Sequence, residues 1–184
     1  MATKKIVLID RDGVINRDRE DDYVRHPEQL EILPAALQGI KKLTDAGCRI
    51  SIVSNQAGIA KGLYTAPMLD RITTKMLQAI EAAGGKIASV HYCPHQTADD
   101  CACRKPKTGL LEQAVPAHVD RSAVYLVGDS ERDVAAGKRF GCRTILVLSG
   151  NTKTAEQIQA FVSQPDFVAA DLRDAAERII LAPA

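Results

Sequence analysis

Residues 4–16 read KKIVLIDRDGVIN: an apolar run from Ile6 to Ile9 passes into Asp10, with Asp12 two positions on and Gly13 behind it. A short apolar run rich in β-branched residues has the pattern of a strand buried on both faces. Ending such a strand in two carboxylates is costly, because they repel each other and burial penalises each charged form. The strand must therefore end either in open solvent or beside a cation, and the rest of the chain has to decide between the two.

Working outward, runs of the same kind recur as CRISIVSN (residues 48–55), KIASVHY (86–92), AVYLVGD (123–129) and CRTILVL (142–148). Helical periodicity separates them. PAALQGIKKLTDAG (34–47) puts Leu37, Ile40 and Leu43 on one face and stops at Gly47. TAPMLDRITTKMLQAIEAAGG (65–85) opens at a Thr65 cap, repeats Leu69, Ile72, Met76 and Ile80, and stops at a glycine pair. ERDVAAGKRFG (131–141) is a shorter helix ending at Gly141, and residues 165–181 read as a short strand followed by a last helix. Strands alternating with helices predict an α/β fold, a parallel sheet covered by helices on both faces, with residues 1–184 as one domain.

Composition agrees and narrows the function classes. The 184 residues are 46% hydrophobic and 26% charged with a net charge of +1, which offers no bulk attraction to nucleic acid or anionic membrane. Aromatic residues make up only 4%, with no interleaving with basic residues of the kind that binds single strands. No apolar run nears the ~20 residues needed to span a bilayer. The N-terminal stretch lacks a secretory pattern, so a cytosolic address is expected, and there five cysteines point to metal or free thiols before disulfides. A monomer without macromolecular partners is the expectation.

In open parallel sheets ligands gather beyond the carboxyl ends of the strands. Three of the predicted strands end in chemically able residues: Asp10 with Asp12, Ser54 with Asn55, and Asp129. Carboxylates so gathered suit a hard divalent cation such as Mg2+, which binds through one or two carboxylates plus a substrate phosphate, and a carboxylate there can itself attack phosphorus. Arg104 and Lys105, just before a predicted helix, have the charge that transferring phosphoryl oxygens need. The segment SNQAG (54–58) adds a hydroxyl, amides and backbone N–H groups, and Asp133 is expected to cap or support the site. HYCPHQTADDCACRKP (91–106) brings Cys93, His95, Cys101 and Cys103 into one short loop, a sulfur-and-nitrogen set of four that suits structural Zn2+. Cys48 and Cys142 read as small core residues, and His26, His91 and His118 as structural or surface groups.

DRDGVIN, SNQ, RKP and GDSERD, in this order over roughly residues 6–147, resemble the four motifs of the haloacid dehalogenase-like phosphatases. The resemblance implies a Rossmann-like fold in which Asp10 is the nucleophile and Asp12 the general acid, later the base that activates water. It also implies that Ser54 and Lys105 steady the phosphoryl group, and that Mg2+ is held by Asp10, the backbone carbonyl of Asp12, and Asp129. The Cys-x-His and Cys-x-Cys loop joined to CRKP is similar to the branch of heptose 1,7-bisphosphate phosphatases and the related histidinol-phosphate phosphatases, which lack a lid domain. There Arg104 matches a substrate-recognition position and Asp18 lies in a loop that contacts sugar; Asn55, Gln56 and Ser130 complete the expected substrate contacts. Heptose enzymes often carry lysine where this chain has Ser130. A stand-alone chain, DRDGVIN and SNQAGIAKG favour the heptose bisphosphate, used in making activated heptose for lipopolysaccharide; the short zinc loop is shared with the histidinol phosphate enzymes. A receiver-type module gives no reason for the zinc loop or the second acid, and a non-catalytic zinc module gives none for keeping both Asp10 and Asp12.

Overall fold

The computed structural model describes residues 5–19 and 22–182, so residues 20 and 21 of the expected sugar-contacting loop lie outside it. Six strands, β1 (Ile6–Ile9), β2 (Arg49–Asn55), β3 (Ser89–Cys93), β4 (Val124–Gly128), β5 (Arg143–Val147) and β6 (Phe167–Ala169), form one sheet in the order β3-β2-β1-β4-β5-β6. Every pairing is parallel. The helices are α1 (Pro34–Asp45), α2 (Ala66–Ala82), α3 (Gly109–Ala114), α4 (Glu131–Phe140), α5 (Ala155–Gln159) and α6 (Leu172–Ala175), the last running on into a wider π-type turn over Ala176–Ile180. The α/β expectation is met.

The apolar run of β1 fits the centre of this sheet because side chains alternate between its faces. Val7 and Ile9 join Ile40, Leu43, Ile72, Met76 and Leu172 under α1, α2 and α6. Ile6 and Leu8 join Leu110, Leu111, Ala136 and Phe140 under α3 and α4. Each such side chain contributes about 1.5–3 kcal/mol on burial, so a strand apolar at every position can rest only between two helical layers. In register, Ile9 lies opposite Ile52 on β2 and Val127 on β4. The segments that follow these three strands therefore leave the sheet side by side.

The helix signals act as their sequences predict. Thr65 Oγ1 accepts a hydrogen bond from Met68 N (3.3 Å) at the start of α2, and left-handed glycines follow α1 and α4 at Gly47 and Gly141. Strand β3 begins at Ser89, later than the apolar run suggested, and continues to Cys93. Helix α5 was not anticipated, although its signal was present: Thr154 and Gln157 form a reciprocal cap, Gln157 N donating to Thr154 Oγ1 (3.3 Å) and Thr154 N to Gln157 Oε1 (3.0 Å).

Gly39 shows how closely α1 approaches α6: a Cβ there would lie 2.7 Å from the Leu172 carbonyl oxygen and 2.8 Å from its carbon. Helix propensity alone favours Gly39→Ala by about 1 kcal/mol, whereas forcing the two backbones apart costs about 1–3 kcal/mol. A net destabilisation in urea unfolding is the expected outcome; a gain in stability would show that the interface yields.

Candidate active site

Strand order reverses between β1 and β4, and the chain segments leaving these two strands bracket the crevice where open α/β sheets bind ligands. Asp10 follows β1 and Asp129 follows β4, while Ser54 and Asn55 end β2. The turn beyond β1 depends on Gly13, whose φ is +80°: a Cβ there would lie 2.1 Å from Asp129 Oδ2. Glycine thus allows the two acidic strand ends to close on each other. Asn151, beyond β5, fixes the Asp129 carboxylate, its backbone N–H and side-chain amide donating to Oδ2 at 2.7 and 2.8 Å.

Lys105 enters this acidic crevice from the loop after β3 and is almost fully buried. Its Nζ donates to the Val53 carbonyl (2.8 Å) and lies 3.2 Å from Asp10 Oδ2 and 2.6 Å from Asp133 Oδ1. Asn55 holds its peptide on both sides, accepting from Lys105 N and donating to Lys105 O, each at 3.0 Å. Asp133, in the first turn of α4, has its other oxygen taken by Ser130, whose hydroxyl (2.6 Å) and backbone N–H (3.2 Å) both donate to Oδ2. Ser130 lines the cleft, but its proton is directed at Asp133.

Asp12 sits in a separate network. Its Oδ1 accepts from Arg11 Nη2 (3.0 Å) and Asn16 Nδ2 (2.9 Å), and its Oδ2 from Gln56 Nε2 (2.8 Å). The same Gln56 nitrogen reaches Ser54 Oγ (3.2 Å), and Tyr64 Oη donates to Gln56 Oε1 (2.7 Å). Gln56 is wholly buried behind Asp12 and Ser54 and is not among the residues that line the cleft, so it stands at one remove from the expected substrate contact.

The charges do not balance. When all four are ionised, Asp10, Asp12, Asp129 and Asp133 face two buried cations, Arg11 and Lys105, which would leave two negative charges over. Burial pushes Asp129 up to about 8, with Asp133 and Asp10 adding to the shift. Burial likewise raises Asp10, to about 6, against the pull of Lys105. Arg11 overcomes burial at Asp12 and holds it below its ordinary value. Carboxylate oxygens of Asp10, Asp129 and Asp133 lie within 4.8 Å of one another, an all-oxygen set whose surplus charge equals that of a divalent cation.

A second donor cluster shapes the loop that delivers Lys105. Cys93, His95, Cys101 and Cys103 converge with separations of 3.6 Å (Cys93 to His95 and to Cys101), 3.4 Å (Cys103 to His95) and 3.5 Å (Cys103 to Cys101). The edges of a tetrahedron around Zn2+ with ordinary Zn–S and Zn–N bonds are about 3.6–3.8 Å, so the four donors already stand at metal-binding spacing. Burial raises Cys93 to about 12; Cys101, in spite of burial, is brought down to about 7 by the Arg104 backbone N–H and its thiol neighbours. Arg104, next in the chain, anchors Nη1 on the His95 carbonyl (3.0 Å).

Of these residues, Asp10, Asp12, Ser54, Arg104, Lys105, Asp129 and Asp133 line a cleft of about 290 Å3, which Asp18 also borders. Tyr23, Lys61 and Arg132 also stand at its rim, brought there from two separate loops and the first turn of α4. Lys61 stands over the Tyr23 ring, 5.3 Å from its centroid. Cys142 is buried and Cys48 packs against the core; His26 and His118 are exposed, and His91 bonds Ser89 Oγ at 2.9 Å. Among the described residues no helix is long and apolar enough to cross a membrane.

Residues 102–175 match a family model described as HAD-hydrolase-like. The chain is 37% identical over 177 residues to the D-glycero-beta-D-manno-heptose-1,7-bisphosphate 7-phosphatase of Bordetella bronchiseptica, covering 96% of this chain and 98% of that one. It is 34% identical over 177 residues to a phosphatase of Photorhabdus laumondii named for the alpha anomer, covering 91% and 96%. The crystal structure of the B. bronchiseptica D,D-heptose 1,7-bisphosphate phosphatase, complexed with magnesium and phosphate, superposes with a TM-score of 0.86 at 36% identity over 96% of this chain and 98% of that one. Sequence and fold agree over nearly the whole length: the chain belongs to the heptose 1,7-bisphosphate 7-phosphatase family of haloacid dehalogenase-like hydrolases.

Proposed function

We propose that this protein is a Mg2+-dependent phosphatase that removes the 7-phosphate of D-glycero-D-manno-heptose 1,7-bisphosphate. The observation that carries the chemistry is the half-compensated acidic crevice, in which Lys105 bridges Asp10 and Asp133 beside Asp129 and two negative charges remain. Family relatives named for both anomers of the heptose bisphosphate favour that substrate over histidinol phosphate.

Asp10, Asp129 and the backbone carbonyl of Asp12 would hold Mg2+, which when bound offsets the charge of the carboxylates and of the incoming phosphate. Asp133 is near enough to ligate, but Lys105 and Ser130 occupy it. In the first step an Asp10 oxygen attacks phosphorus, the bond from phosphorus to the sugar oxygen breaks, and Asp12 gives that oxygen its proton. Lys105 and the Ser54 hydroxyl steady the transferring phosphoryl group. In the second step water attacks the phosphorus of the aspartyl phosphate and gives a proton to Asp12. The bond to Asp10 breaks, releasing inorganic phosphate and restoring both side chains. Arg104, at the rim, contacts the sugar phosphate, with Asp18 on the opposite loop. Cys93, His95, Cys101 and Cys103 would hold a structural Zn2+ that shapes the loop carrying Arg104 and Lys105.

Asp10→Asn should lower turnover by about 10³-fold or more while the thermal unfolding midpoint stays close to that of the parent; substantial remaining activity would remove Asp10 from its role. With Mg2+ present, kcat/KM for heptose 1,7-bisphosphate should exceed that for histidinol phosphate by about a hundredfold, or about 2.7 kcal/mol of transition-state preference. The reverse ratio would assign the protein to histidine synthesis. Metal analysis of the purified protein should find about one zinc per chain, and Cys101→Ser should lower both zinc content and thermal stability; an unchanged unfolding curve in a zinc-free variant would leave the metal without a structural role.

A further inference from the structure

Arg11 has the largest of the fully buried side chains, at 0% exposure, and the mechanism above gives it no task. Its guanidinium grips Asp12 at two points: Nη2 lies 3.0 Å from each carboxylate oxygen, and Nε donates to Oδ1 at 3.3 Å. Its Cζ stands 5.9 Å from the centroid of the Tyr92 ring on β3. The backbone carbonyl of Arg11 accepts from Ile15 N (2.8 Å) and Asn16 N (3.1 Å), so the turn closes around it and returns Asn16 to donate to the same Asp12 oxygen, Oδ1.

Two features set this arrangement apart from ordinary core packing. The remaining nitrogen, Nη1, is buried without a well-aligned acceptor among the described residues, and an unmet buried donor costs about 1–3 kcal/mol. A side chain kept for stability alone would more economically be apolar at this position. In addition, the donors are distributed unequally over the carboxylate. Oδ1 takes Arg11 Nε and Nη2 together with Asn16, whereas Oδ2 carries the single Gln56 hydrogen bond and a contact with Nη2. Oδ2 is thus the oxygen with coordination to spare, on a side chain that is 28% exposed in the cleft.

We propose that Arg11 is a positioning residue for proton transfer: with Asn16 it saturates Oδ1 of Asp12 and locks the carboxyl plane, so that Oδ2 alone carries the proton to the leaving sugar oxygen. This rests on the phosphatase reading above. Cleavage moves a proton from Asp12 Oδ2 to the sugar oxygen as its bond to phosphorus breaks. A substrate whose leaving group departs as a stable anion needs no such proton, and its cleavage should not feel the loss of orientation.

The Mg2+- and zinc-loaded enzyme would be assayed with heptose 1,7-bisphosphate and with p-nitrophenyl phosphate, comparing kcat/KM, which reports the first, bond-breaking step. Arg11→Lys keeps the charge but not the two-point grip. It should lower kcat/KM for the sugar phosphate by about 10²-fold and for the aryl phosphate by less than about threefold, the difference being the worth of a placed general acid. Should that variant fail to fold, Asn16→Ala, which removes the neutral donor to Oδ1 together with its bond to the Arg17 carbonyl, should show the same selectivity at about tenfold. Equal losses on both substrates, or none, would overturn the role and leave Arg11 structural. A parent enzyme inactive on both would instead refute the phosphatase reading beneath it.

Discussion

A fully buried ammonium shared between carboxylates of two different segments is the contact on which the site depends. Lys105 reaches Asp10 after β1, Asp133 in α4 and the Val53 carbonyl on β2. Removing Lys105 would leave Asp10 and Asp133 buried without their cation, and breaking such a pair costs about 3–5 kcal/mol. Asp10, the proposed nucleophile, the start of α4 and the loop after β3 are therefore held in one geometry. That loop has little regular structure of its own, one short 3-10 turn at Thr97–Asp99. Its shape comes from Asn55, which clasps the Lys105 peptide, and from the Cys93, His95, Cys101 and Cys103 cluster, which closes it upstream.

Electrostatics then divides the four acids. Asp133 is spent on Lys105 and Ser130, and Asp12 is taken by Arg11, Asn16 and Gln56. Asp10 and Asp129 are left under-compensated, which is why burial raises both, to about 6 and about 8. On the proposed reading, the groups that would hold a cation are kept short of positive partners, and Asp12 is well supplied with donors. Like residues within one cleft are thus set in unlike electrostatic environments, which marks a functional site.

The rim has a different logic. Among the described residues no lid domain encloses the cleft, and its walls are residues near Tyr23, the segment carrying Lys61, the loop of the cysteine and histidine cluster with Arg104, and the first turn of α4 with Arg132. Ser130 turns its hydroxyl to Asp133 and brings no positive charge to the rim, so Lys61, Arg104 and Arg132 supply it.

Much of this was legible in the sequence for a physical reason: burial on both faces of a central strand demands an uninterrupted apolar run, and KIVLI has one. The alternation of such runs with capped, periodic helices determined a parallel α/β sheet. The acids and hydroxyls at the run ends marked the crevice, because strand ends in parallel sheets lie side by side. Four soft ligands within eleven residues marked the second cluster, because such donors are local in the chain. What only the tertiary structure decided is every contact made across the chain. Asn151 on Asp129, Tyr64 on Gln56, the burial of Gln56 behind Asp12, and the rim positions of Tyr23, Lys61 and Arg132 follow from which loops meet. Arg11 shows the limit most plainly: it stands in the quoted motif itself, yet its sequence does not say whether an arginine beside two acids points to water or inward, and packing against Tyr92 and Asp12 turned it inward.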